Sequence, residues 1–148
     1  MKKKYLLLTG LLVITLLSGC GYKPVYSSKD FIFKINEIKH TKNKINNQIA
    51  RSIKSISNDN ATSSLNFEIS SKKEKIVVSK NKNGDPEIFE LKIFIDIEVK
   101  NKQKTFVGKQ VYNNTENKFE LNEYEIEIEK QIITKMIDEI IIFLLELK

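Results

Sequence analysis

Few combinations of side chains in this sequence of 148 residues are arranged to attack, transfer a proton or hold a metal. Cys20 is its only cysteine and His40 its only histidine. A single histidine with no thiol or second ligand beside it makes neither a nucleophile–base pair nor a metal site. The five glycines are scattered at 10, 19, 21, 84 and 108, so no phosphate-cradling loop exists. Five glutamates between 120 and 129 could pair for acid–base work only in a cleft, which their pattern does not suggest. The chain therefore reads as a non-enzyme that needs no metal and no dissociable cofactor. Two groups remain: the Cys20 thiol and a lysine cluster, Lys72, Lys73 and Lys75 with Lys80 and Lys82.

The setting of Cys20 gives its thiol a role. Lys2, Lys3 and Lys4 form a positive segment, and Tyr5 to Leu17 an apolar run of 13 residues. That length lies within the roughly 7–15 of a secretory signal and is too short to span a bilayer. Ser18-Gly19 supplies the small residues of a cleavage site, and the cysteine follows directly. Leu17-Ser18-Gly19-Cys20 resembles a bacterial lipobox, whose sulfur is acylated before cleavage leaves the cysteine at the new N-terminus. The competing reading is an ordinary signal with a chance cysteine. As a lipobox, Cys20 would carry an S-diacylglycerol and an N-acyl group, and two or more chains anchor stably where one does not. By resemblance to enteric lipoproteins, Gly21 in place of Asp implies the periplasmic face of the outer membrane.

Loss of residues 1–19 lowers the formal charge from +6 to +3, because Lys2, Lys3 and Lys4 leave with no acid. Residues 20–115 carry 18 Lys and Arg against 10 Asp and Glu, whereas residues 116–148 carry 4 against 9. A basic body with an acidic end could steer anionic partners, or it could reflect a genome biased toward Lys, Asn, Ile and Glu. Nucleic acid suits an exported chain poorly. An acylated Cys20 leaves no thiol for a disulfide, so packing alone must hold the fold.

The elements that position these groups follow from periodicity. Residues 20–30 read as a tether and 31–148 as a single domain. Phe31, Phe33 and Ile35 alternate, with Ile38 beyond, giving a strand over about 30–39. Ile45, Ile49, Ile53 and Ile56 predict a helix capped by Thr41 or Asn43. Leu65, Phe67 and Ile69, then Ile76-Val77-Val78 across SSKKEK, make either one long strand or two short ones. Asn83-Gly84 signals a two-residue hairpin. Phe89 to Val99 alternate with charge, which predicts a strand with one covered face and one wet face. A turn over Asn101–Lys104 leads to a weaker strand over 105–113. From 121 to 147 a three-to-four period predicts a long helix, with Asn122 and Glu125 as a capping box. The expected fold is α+β: a two-layer sandwich with a four-stranded mixed sheet (β-α-β-β-β-α) and two helices packed on one face. Its first strand pair is parallel through a right-handed crossover.

Cys20-Gly21-Tyr22-Lys23-Pro24-Val25-Tyr26 resembles the N-terminus of the LptE family of outer-membrane lipopolysaccharide-assembly lipoproteins. Val111-Tyr112-Asn113 ahead of a long last helix, and the element order, are similar more loosely. The resemblance implies a plug and assembly partner inside an LptD-type β-barrel, through which lipopolysaccharide passes to the outer leaflet. It assigns one residue, Cys20, as the lipid attachment site.

Three features would suit that role, each with a plainer reading. The lysine cluster could meet lipid A phosphates, or be a solvated edge that deters strand aggregation. Ile140 to Leu145 is apolar all round, so its outer side is a partner surface or deeper core. Glu90, Lys92, Phe94, Asp96 and Glu98 would face a water-lined barrel interior or bulk solvent. The alternative function is a periplasmic lipoprotein that binds a ligand without a barrel.

Overall fold

Between Phe89 and Val99 every second residue is apolar, and this strand, Pro86–Val99, carries the centre of the core. Phe89, Leu91, Ile93, Ile95, Ile97 and Val99 are all buried. The β-branched majority suits a pleated surface, and burying each large side chain contributes roughly 1.5–3 kcal/mol. A computed structural model describes residues 33–147. Cys20, the leader and tether and the start of the first strand (Phe31) lie outside those residues.

The described chain runs β1 (Phe33–His40), α1 (Lys44–Ser55), β2 (Ser63–Lys80), β3 (Pro86–Val99), β4 (Lys102–Asn113) and α2 (Lys118–Leu145). The sheet order is β1-β2-β3-β4. β1 pairs parallel to β2, and the other two ladders are antiparallel. Both helices lie on one face and touch each other. This is the expected α+β sandwich.

Several local features differ from the sequence reading. Residues 63–80 form one continuous strand, and SSKKEK keeps register through it. Two irregularities fall later: Val78 has no partner between Val77 and Ser79, and Glu87 is passed over between Ile88 and Pro86 opposite Ser79 and Lys80. In β1 an extra residue at Asn36 shifts the alternation, so Ile38 rather than Glu37 sits opposite Phe67. Asn83-Gly84 does not make a two-residue hairpin. Asn81 Oδ1 accepts from the backbone N–H of Asn83 and Asp85, both at 2.9 Å, organising a longer loop in which only Gly84 has positive φ. The two-residue turn is instead Lys100-Asn101, with φ of 50° and 60°, joining Val99 to Lys102.

The helix caps also sort themselves out. Asn43 caps α1, its side chain accepting from the Asn46 N–H. α2 begins earlier than the period suggests: Asn117 caps it by accepting from Phe119 and Glu120, and Asn122 lies exposed inside the helix. α2 crosses β4 at Gly108, where an added Cβ would meet Ile132 Cγ2 at 2.4 Å and Met136 Sδ at 2.7 Å. Close approach is what this glycine permits.

Candidate functional site

The strand period separates the lysine cluster. On β2 the odd residues Leu65, Phe67 and Ile69 enter the core, and continuous register puts Lys73 and Lys75 on that same helix side. Lys72 points to the opposite face, and Lys80 and Lys82 stand at the hairpin end.

On the helix side the lysines are engaged. Glu129 of α2, only 7 % exposed, accepts from Lys73 Nζ at 2.7 Å and lies 3.6 Å from Lys44 Nζ. One carboxylate thus ties α1, β2 and α2 together. One turn earlier, Glu125 Oε1 accepts from Lys75 Nζ and, at 2.8 Å, from the Tyr112 hydroxyl. Lys75 Nζ also sits 4.1 Å over the Phe89 ring. Burial raises the Tyr112 pKa above its ordinary value, and the bond to the Glu125 carboxylate raises it further.

On the open face Lys72 pairs with Glu74 at 2.6 Å, and this hydrogen bond raises the lysine pKa. Lys92 meets Glu90 at 3.2 Å, and Asp96 accepts from Thr105 at 2.6 Å. Lys80 and Lys82 have no ion pair among the described residues. The five lysines therefore form no single cationic surface; the two at the hairpin end remain accessible.

The open face is less polar than β3 alone suggests. Register sets Phe94 beside Val107, and Glu90 between Ile76 and Val111. Ile76, Val107 and Val111 are 38 %, 51 % and 52 % exposed, so an apolar stripe runs among the charges. Pairing β4 with β3 at the Lys100-Asn101 turn would have revealed it. The apolar run near the C-terminus turns mostly inward: Ile140, Ile141 and Leu144 are buried, and Ile142 is exposed. Among the described residues no helix is long and apolar enough to cross a membrane, and no cluster of His, Cys, Asp or Glu could hold a metal ion.

Such an arrangement offers paired charges, an apolar stripe and long edges, which are means of binding. No family profile and no curated protein matches the sequence. Solved structures do match in fold. One is described as an uncharacterized lipoprotein B from Nitrosomonas europaea, 17% identical, covering 81% of this chain and 87% of its own, with a TM-score of 0.59. Another is the rare lipoprotein B of Shewanella oneidensis, 12% identical, covering 72% and 91%, with a TM-score of 0.54. The fold of this chain is thus one that bacterial lipoproteins of Gram-negative species also use.

Proposed function

We propose that the protein is an outer-membrane lipoprotein, anchored on the periplasmic face through acylated Cys20, that plugs and helps assemble an LptD-type β-barrel for lipopolysaccharide export. The observation that carries this reading is a conjunction. The fold shared with lipoprotein B chains follows a lipobox-like Leu17-Ser18-Gly19-Cys20, and the segment that begins there, Cys20-Gly21-Tyr22-Lys23-Pro24-Val25-Tyr26, resembles the LptE N-terminus. The open face of the sheet supports it, since paired charges suit a wet lumen while Val107 and Val111 offer apolar contact to a wall. Lipopolysaccharide phosphates would be met by Lys80 and Lys82, the accessible cations at the hairpin end, while Lys72 stands eight residues back along β2, paired with Glu74 on the open face.

The test is co-purification from outer membranes with the native lipidated chain as bait. A stoichiometric complex with a large β-barrel is expected. Recovery of the chain alone, from membranes where the barrel is abundant, would leave the alternative of a ligand-binding lipoprotein without a barrel partner.

A further inference from the structure

Between α1 and the edge strand β1 lies a groove of about 420 Å³ that the barrel reading does not use. Its helix wall is Asn47, Ala50, Arg51 and Lys54, spaced so that all four share one face. Its strand wall is Ile35, Asn36, Ile38 and His40, where the extra residue at Asn36 lets Ile35 and Ile38 both face the helix. The lining thus has an apolar floor and a basic rim, and among the described residues it contains no carboxylate.

Like Lys80 and Lys82, the two cations of this rim have no carboxylate partner among the described residues. Lys44, Lys72, Lys73, Lys75 and Lys92 each meet a glutamate, whereas Arg51 and Lys54 meet none among the described residues. Arg51 is the only arginine in the sequence. Its Nε donates to the Asn47 carbonyl at 3.2 Å, which steadies the guanidinium and leaves its terminal nitrogens for another acceptor. A guanidinium fork matches the two oxygens of a carboxylate or phosphate better than an ammonium does. The volume falls in the range of pockets for small ligands, roughly 300–1,000 Å³.

We propose that this groove binds a small anionic amphiphile: a carboxylate or phosphate monoester held by Arg51 and Lys54, with its aliphatic body laid on Ile35, Ile38 and Ala50. The site stands apart from the barrel reading, so either can fail without the other.

The lipidated mature chain in phosphatidylcholine nanodiscs, with methyl-labelled Ile and Ala, is titrated with octanoate, octyl phosphate, octanol and inorganic phosphate. Octanoate or octyl phosphate, or both, should saturably shift the Ile35, Ile38 and Ala50 methyl signals, and whichever binds identifies the head group. Octanol and inorganic phosphate should each bind at least about tenfold more weakly, since each lacks one half of the recognition. Arg51→Gln should cost about tenfold in affinity and Lys54→Gln less, with the remaining spectrum unchanged. No saturable shift, octanol binding as tightly as octanoate, free phosphate matching octyl phosphate, or an unaltered affinity in Arg51→Gln would each overturn the proposal.

Discussion

Tyr112 is kept protonated by its surroundings, and that has a measurable sign. Its pKa is raised by burial and by the bond to Glu125, so the folded state holds the proton more tightly than the unfolded chain. The resulting stability is complete below the ordinary tyrosine value of about 10 and is lost as pH rises from there toward the folded value. Tyr112→Phe should cost about 1 kcal/mol at neutral pH, and its stability should decline less steeply than the parent's above pH ~10. Thermal melts across the alkaline range check this; parallel decline of both proteins would show that Tyr112 is not the group responsible. At this scale the sequence was only half legible. The identity of Lys73 and Lys75 as binders of anions is visible in their charge, but their anions prove to be Glu129 and Glu125, 56 and 50 residues away. Strand parity alone separates Lys72 from its neighbours. Its partner Glu74 follows from the i, i+2 spacing on one face.

The elements were legible wherever a long period ran uninterrupted. Six alternating apolar residues defined β3, and four isoleucines defined α1, because burial of one face overrides weak local preferences. Boundaries fared worse, because caps depend on single side chains. Asn117 and Asn122 are equally plausible caps by residue type, and only the chain's exit from β4 chooses between them. Asn117→Ala should therefore lower stability by about 1 kcal/mol, while Asn122→Ala stays within about 0.5 kcal/mol of the parent. Chemical denaturation of the two variants tests the assignment, and equal losses would reject it. The hairpin signal at Asn83-Gly84 misled for a related reason: Asn81 offers the loop a side-chain acceptor that outcompetes a tight turn. Gly108 marks where two elements touch. Gly108→Ala forces Ile132 or Met136 aside and should cost about 1–3 kcal/mol, measured by denaturation. Adding Ile132→Ala should give a total loss smaller than the sum of the two single losses, because the cavity accepts the new methyl; strict additivity would show that the contact is not the cause.

For the whole molecule, the described domain and the segment before it answer different questions. Residues 33–147 give a fold shared with lipoprotein B structures, and sites suited to binding. The proposed attachment to the envelope rests on Cys20, whose lipobox-like setting is read from the sequence. Cys20→Ser should abolish labelling with radioactive palmitate; a band that persists would place the anchor elsewhere. Fold class was legible because hairpin-joined strands and one helical crossover leave few arrangements. The groove beside β1 was not, because its walls come from a bulged strand and a helix whose relative placement no local pattern specifies.

β2 outlasts its neighbour: β1 ends opposite Ile69, while β2 runs on to Lys80. The outlying rungs are braced on one flank only, and their far tip carries the half-exposed Ile76, Val77 and Val78. Mechanically this is a cantilever fixed at the Lys73 and Lys75 ties to α2. Because β4 holds β3 as far as Ile88, load at the tip would fall first on the rungs of β2 beyond Lys75, which have no second strand beside them.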